Sequence, residues 1–397
     1  MRVGLIAWER FSYGGVSRII SSIVKELSCH TDIEIKVLCL KKEKFFQNVY
    51  GIDTQKVEFS FMELTPFQKI RREIANRMFS GIVKIGINNL LYLFPYIKYA
   101  DSYLNKIASW INKNNFDIVM FSSGFEDSIQ LAAIKKRINN NIKLISWSHA
   151  SFKDYFRKDK GLWAVGQRRL WKYYYKRFDS IVVLSDADVR DCKEYLDLPA
   201  IRIYNSNSFL PSHKTTLNHK RFVYVGSLSY NKGYDLMVDA FIEFAKKNRD
   251  WNIDIYGEGE GRIYVENSIS KNNLTERMHL YDYTNDIETI YSKHDVLVFP
   301  SRYEGFGIVQ IEAASCGLPV IASDIPITNE LIGKYQYGTL FKWNDAHSLA
   351  ETMLQFISSD FSKYSENAIE AAKDFKVDII AQEWVKMFKS LIYGKSN

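Results

Sequence analysis

The sequence predicts an α/β protein of two doubly wound domains, and three observations predict it. Short apolar strands alternate with helix-length segments from end to end, the signature of parallel sheets covered by helices. The strand series starts afresh near the middle of the chain. A polar, turn-rich stretch at 205–218 without clear periodicity separates the two series. At 397 residues the chain holds two domains of ordinary size. These are expected at 1–205 and 220–375, with 206–219 as linker and 376–397 as a last helix able to cross back to the first domain. Ligands of such sheets bind outside the carboxyl ends of the strands, so the two domains are expected to face a central cleft.

In the first domain strands are expected at 3–7, 33–40, 117–121, 143–147, 180–184 and 201–204. In the second they are expected at 222–226, 252–256, 279–281, 295–299, 319–322 and 339–341, and helical pattern fills 347–393. Apolar residues at 46% and charged residues at 25% are ordinary for a globular chain. Aromatics at 15% are many, as core or as a binding surface. Cys29, Cys39, Cys192 and Cys316 have neither metal-type nor disulfide-type spacing, which suits a reducing cytoplasm. No signal peptide is expected, because residues 1–7 are too short for an apolar signal core and are followed by Trp8, Glu9 and Arg10.

The longest apolar stretch, 81–100, is broken by Lys84, Asn88, Asn89, Pro95 and Lys98 and does not qualify as a membrane span. The net charge of +7 is unevenly spread. Lys69, Arg71, Arg72 and Arg77 precede that stretch, and Arg168-Arg-Leu-Trp-Lys-Tyr-Tyr-Tyr-Lys-Arg177 interleaves bases with aromatics. Both patterns suit an anionic membrane surface at the inner face of a cell membrane, or a polyanionic partner. Solvated helix faces covering apolar stems would read the same way.

The most informative segment is Glu304-Gly-Phe-Gly-Ile-Val-Gln-Ile-Glu312, at a strand-to-helix junction. Gly305 and Gly307 let backbone approach a ligand, and the amides of Ile308 and Val309 would point out of a helix start at an anion. Each Glu can accept from two vicinal hydroxyls. An ordinary helix cap with an acidic first turn is the plainer reading of either Glu alone. Tyr13-Gly14-Gly15 follows the first strand and opens a helix, a phosphate loop or a tight turn. It is not a dinucleotide fingerprint. Lys232, in the turn after the first strand of the second domain, can pair with a diphosphate, or is a surface lysine at a helix start. His149 follows the strand at 143–147 and can donate to a phosphate or sugar, act as acid or base, or be structural. Tyr256-Gly257-Glu258-Gly259 is a further glycine-rich turn, with Glu258 toward the cleft. Asp186-Ala-Asp188 resembles a metal-binding acidic pair, but capping of a helix by Ser185 and Asp186 is simpler. Metal-ligand spacing, a P-loop and a nucleophile elbow are all missing.

Together Gly14-Gly15, His149, Lys232-Gly233, Tyr256-Gly257-Glu258-Gly259 and the Glu304-to-Glu312 segment, followed by Ala313-Ala-Ser-Cys-Gly-Leu-Pro-Val320, resemble the fourth glycosyltransferase family (glycosyl transferases group 1), retaining enzymes of GT-B fold with two Rossmann-like domains. The resemblance implies a hexosyltransferase that uses a nucleotide sugar, most often a UDP-sugar, with no metal. Glu312 would then bind ribose and Lys232 the diphosphate. Glu304 with the backbone of Phe306 and Gly307 would bind the donor sugar, and amides at Gly15, Ile308 and Val309 would complete the phosphate cradle. His149 would sit near the transferred sugar. Two departures stand out. Ser227 occupies the place of a frequent basic residue, for which Arg18 or Arg302 would substitute, and 323–327 lacks a common glycine pair. A cell-envelope glycan or lipid-linked acceptor is expected. The competing readings are a nucleotide-sugar epimerase or hydrolase of the same architecture, and a basic polyanion-binding protein; nucleic acid is not an expected partner.

Overall fold

Two parallel sheets, each flanked by helices, make up the computed structural model, which describes residues 1–8, 14–40, 51–85, 92–156 and 161–394. Glu9, Arg10, Tyr13, Asn88 and Asn89, named above, lie outside the described residues. The chain divides into one unit of Met1–Ser206 with Val377–Asn397 and a second of Asn207–Lys376.

In the first unit the elements are β1 (Arg2–Ile6), α1 (Gly15–Leu27), β2 (Glu34–Cys39), β3 (Val57–Phe61), α2 (Pro66–Ile85), α3 (Phe94–Lys98), α4 (Asp101–Asn114), β4 (Ile118–Ser123), α5 (Phe125–Ala133), β5 (Lys143–Ser148), α6 (Gly161–Tyr174), β6 (Ser180–Val183), α7 (Asp186–Asp191) and β7 (Ile201–Arg202). The strands lie in the order β3-β2-β1-β4-β5-β6-β7, and every pairing is parallel. Burial on both faces explains the near-continuous apolar runs, as in β4, where all six residues are buried. Helices cover the faces through one stripe each, such as Ile19, Ile20, Ile23, Val24 and Leu27 of α1.

The second unit contains β8 (Arg221–Val225), α8 (Tyr234–Lys247), β9 (Asn252–Tyr256), α9 (Arg262–Lys271), β10 (Met278–Tyr281), α10 (Ile287–Ser292), β11 (Val296–Phe299), α11 (Ile308–Ser315), β12 (Val320–Ser323), α12 (Pro326–Tyr335), β13 (Gly338–Phe341), α13 (Ala346–Ile357) and α14 (Ser362–Asp374). Its order is β10-β9-β8-β11-β12-β13, again parallel throughout. In each sheet the winding reverses once, between β1 and β4 and between β8 and β11. The carboxyl ends beside such a reversal are where a doubly wound sheet opens a crevice.

Three segments differ from the expectations or fill them in. The strand β3 was not anticipated: it is an edge strand whose Val57 alone is fully buried, so its apolar signal is weak. The helical pattern at 347–393 is three helices, the last being α15 (Val377–Tyr393). That helix belongs to the first unit, where its Ile380, Ala381, Trp384 and Phe388 are buried and Trp384 meets Trp147 edge-on at 4.7 Å. Residues 206–219 form neither helix nor strand, yet from Asn207 onward they are no free tether. Asn207 N donates to Phe375 O at 2.6 Å, Thr215 N to Cys316 O at 2.9 Å and His213 N to Glu288 at 3.0 Å, which satisfies the turn-rich backbone on the body of the second unit.

The abundant aromatics are largely core. Phe125 stacks on Trp171 at 5.1 Å and meets Phe152 edge-on at 5.0 Å. Trp171, Tyr174 and Tyr175 of the basic–aromatic segment point inward, while Arg168, Arg169, Lys172 and Lys176 are exposed. All four cysteines are free. Among the described residues no helix is long and apolar enough to cross a membrane.

Candidate functional site at the second sheet's reversal

The loops that follow β8 and β11 meet. Gly233 ends the β8 turn at φ +69°, and a Cβ there would lie 2.0 Å from Pro300 O, directly after β11. Only glycine permits that approach. It brings the Lys232 ammonium onto the Glu304 carboxylate, which also accepts from Ser301 Oγ at 3.1 Å. Both side chains keep a share of exposure, Lys232 more than Glu304.

Gly307 at φ +74° caps α11, where the ring of Phe299 leaves no room for a Cβ. No side chain caps this helix, so the amides of Ile308 and Val309 open its first turn. Phe306 is buried against Phe375, and its carbonyl accepts from Gln310 Nε2 at 2.7 Å. Glu312, one turn further on, is completely covered, and its Oε1 accepts from Ser208 Oγ. Glu258 is exposed; its carbonyl accepts from Leu228 N at 2.8 Å, tying the β9 turn to the β8 turn. Beneath these turns Tyr256 and Tyr281 stack at 4.6 Å.

The expectation that Arg302 replaces the missing base at Ser227 is overturned. Its guanidinium is bidentate to Asp235 at 2.7 Å on both arms, donates to Tyr230 O at 2.7 Å and Asn344 Oδ1 at 2.6 Å, and lies 3.9 Å over the Tyr230 ring. With its donors committed and its side chain buried, Arg302 holds the β8 turn rather than offering charge to a ligand. Ser227 pairs with Ser229 at 3.1 Å. Within 323–327, Asp324 accepts from Asn329 at 2.8 Å, and Pro326 starts α12.

On the first unit, Gly14 (φ +113°) caps α1, which Gly15 begins, after β1. Arg18 lies on the first turns of that helix and donates its amide to Gly14 O at 3.2 Å. His149 follows β5, and its Nε2 is 2.7 Å from Ser122 Oγ at the end of β4. The Asp186/Asp188 pair diverges. Asp186 binds Arg202 at 2.9 Å, whereas Asp188 accepts from Phe152 N at 2.7 Å and Ser151 Oγ at 3.1 Å. Ser185 is the cap of α7, accepting from Asp188 N at 3.0 Å.

Burial raises the Asp188 carboxyl to about 6, only partly offset by hydrogen bonds from Ser185, Phe152 N and Ser151. A carboxyl whose folded pKa exceeds its unfolded value of 3.8 costs stability once the pH passes that unfolded value, fully so above the folded one. Asp188→Asn keeps an oxygen for Phe152 N and Ser151 Oγ and replaces the one that accepts from Ser185 Oγ with an amide NH2. It is expected to stabilise the protein at pH 7 by about 1–3 kcal/mol, with the gain vanishing below about pH 4; calorimetry at both pH values measures it.

Sequence reasoning missed Ser301, Ser208 and Ser122, the partners of Glu304, Glu312 and His149. Ser301 was detectable as the polar residue just past a buried strand. The other two are joined only by folding. Away from these turns, Glu243, His347 and Glu351 bring ligand atoms within 4.8 Å of one another. Lys247 already sits 2.5 Å from Glu351 and 3.8 Å from Glu243.

Residues 207–375 match the profile of the glycosyl transferases group 1, and residues 13–205 that of the glycosyltransferase family 4. An uncharacterised glycosyltransferase of Haemophilus influenzae is 27% identical over 289 residues, 71% of this chain and 79% of that protein. The poly(ribitol-phosphate) alpha-N-acetylglucosaminyltransferase of Staphylococcus aureus is 26% identical over 224 residues, 54% of this chain and 44% of that enzyme. Among solved structures, HepE of Anabaena in complex with UDP and glucose superposes with a TM-score of 0.73 at 16% identity, covering 98% of this chain and all of that one.

Proposed function

Because the chain belongs to the glycosyl transferases group 1 and has their GT-B fold, we propose that this glycosyltransferase moves a hexose from a UDP-sugar to a hydroxyl of a cell-envelope glycan or lipid-linked acceptor, with retention and without a metal. The observation that carries the reading is the Lys232–Glu304 pair at the reversal of the second sheet, beside the open first turn of α11. A cation, a carboxylate and helix amides at one place suit a diphosphate joined to a polyhydroxyl ring. The envelope acceptor draws support from the poly(ribitol-phosphate) alpha-N-acetylglucosaminyltransferase named above. An acceptor held at an anionic membrane is part of this reading.

Lys232 and the amides of Ile308 and Val309 hold the diphosphate. Glu304, with the backbone of Phe306 and Gly307, holds the sugar. Glu312 accepts the ribose hydroxyls, one of them taking the place of Ser208 Oγ, and Glu258 borders the same turns. Gly14, Gly15 and His149 stand at the carboxyl edge of the first unit's own sheet. As the sugar–phosphate bond breaks, negative charge collects on the leaving diphosphate, so fixed donors there lower the barrier most. The leaving phosphate then helps to deprotonate the acceptor hydroxyl on the same face of the sugar.

A thermal-shift screen against nucleotide sugars tests the reading. A donor at a hundred times its Kd is expected to stabilise the protein by about 2.7 kcal/mol, a rise of several degrees. Glu312→Ala is expected to weaken donor binding by roughly ten- to a hundredfold, the worth of a charged hydrogen bond. Wild-type donor affinity and turnover in that variant would sink the ribose assignment. Rapid nucleotide release without acceptor would favour a hydrolase instead, and full loss of transfer in excess chelator would remove the metal-independent part.

A further inference from the structure

We infer that α2 forms a docking face for an anionic lipid bilayer and lies in the plane of the interface. The inference rests on the membrane contact proposed above and adds where and how that contact is made.

The helix α2 has two apolar faces. Ala75, Phe79, Ile82 and Val83 are buried in the core of the first unit, so the helix cannot roll. Phe67, Ile70, Ile74 and Met78, spaced by three or four residues, form a stripe on the outside and are 71%, 56%, 53% and 53% exposed. Single exposed apolar residues are ordinary. Four in register along about 16 Å of one helix are a surface made for a partner. On the buried side, Gly166 of α6 lies against Phe79 and Val83, so that any Cβ would clash.

Charge identifies the partner. Arg77 and Lys84 are exposed along one flank of the stripe, and Lys69 of α2, Lys172 of α6 and Lys176 just after α6 are exposed elsewhere. Glu73 is the sole acid in 66–85 and 161–177. Arg71 and Arg72 do not belong to this set: Arg71 donates to Ile97 O at 2.7 Å and Tyr96 O at 2.9 Å, and Arg72 packs toward Asp127 and Tyr99. An apolar stripe bordered by lysine and arginine matches anionic headgroups above an acyl layer. A nucleic acid would match the bases but leave the stripe in water.

Co-sedimentation with phosphatidylglycerol/phosphatidylcholine vesicles and with phosphatidylcholine vesicles alone tests the face. Binding is expected only to the anionic vesicles, weakening as salt rises. Ile70→Ser/Ile74→Ser is expected to lower vesicle affinity at least about tenfold. Arg77→Ala/Lys84→Ala is expected to lower it roughly twenty-five-fold, at about 1 kcal/mol per base. All four substituted side chains are exposed, so both variants should keep the wild-type melting temperature. No binding to anionic vesicles at low salt overturns the inference. So does light scattering that shows a dimer dispersed by Ile70→Ser/Ile74→Ser, or vesicle binding untouched by both variants. The donor thermal shift, measured in parallel, separates the two proposals: a missing shift with intact vesicle binding removes the donor reading and leaves this face standing.

Discussion

Lys232→Ala is expected to lower turnover of the nucleotide-sugar donor by about a hundredfold or more, the usual loss when one fixed donor to developing charge is removed from a site sheltered from water. Three features make the expectation large. Lys232 is held by a turn that Gly233 forces against Pro300, so its ammonium is positioned before any ligand arrives. Arg302, the other base beside this turn, is committed to Asp235, Tyr230 O and Asn344 and cannot take over. Ser227 adds no charge. The lysine also neutralises Glu304, so the alanine variant leaves a carboxylate next to the diphosphate and adds repulsion to the lost attraction. Steady-state kinetics at saturating donor reads the effect, with the melting temperature as a control for folding. A change confined to KM would mean that the lysine binds donor and transition state equally, and would refute its role in bond cleavage. Lys232→Arg should recover only part of the rate, since a planar fork differs from a compact point charge.

Both sheets are legible in the sequence because buried parallel strands are near-continuous apolar runs bounded by turn residues, and twelve such runs stand out. The edge strand β3 is not, because water on one side relaxes the requirement. The candidate residues are legible one by one, since Lys232, Glu304 and His149 each follow a strand at its carboxyl end in their own unit. Their companions are another matter. Glu312 meets Ser208 across a separation of 104 residues, and Arg302 meets Asp235 across 67; neither pairing leaves a local trace. A free arginine and a committed one look alike in a sequence. For the same reason Arg71 and Arg72 read as surface bases although one is tied to backbone carbonyls and the other to Asp127. Periodicity marks α2 as amphipathic, but only packing tells which of its two apolar faces is turned to the core.

The largest structural effect is expected at Asp254, a buried carboxylate on β9 remote from any proposed ligand contact. It accepts from His279 Nδ1 at 2.8 Å, His294 Nε2 at 3.0 Å and Arg221 at 2.8 Å. The other nitrogen of His294 faces Ile290 O at 2.6 Å, so both nitrogens of the buried ring lie beside oxygen acceptors. Burial by itself would raise the Asp254 pKa; the hydrogen bonds from His294 and His279, with the charge of Arg221, outweigh it and bring the carboxyl down to about 2. Asp254→Ala removes the acceptor that Arg221, His279 and His294 share and is expected to cost about 3–5 kcal/mol at pH 7, the range for removing one partner of a buried ion pair. For the wild-type protein the sign with pH follows. The folded pKa lies below the unfolded value of 3.8, so the carboxylate's contribution is complete above about pH 4 and is lost as the pH falls through about 2. Denaturant unfolding of both proteins at pH 7 and pH 4.5 should therefore show the full difference, and one that narrows on further acidification. A difference below about 1 kcal/mol at pH 7 would mean that the three donors find other partners when the carboxylate is gone, and would refute the network's structural weight.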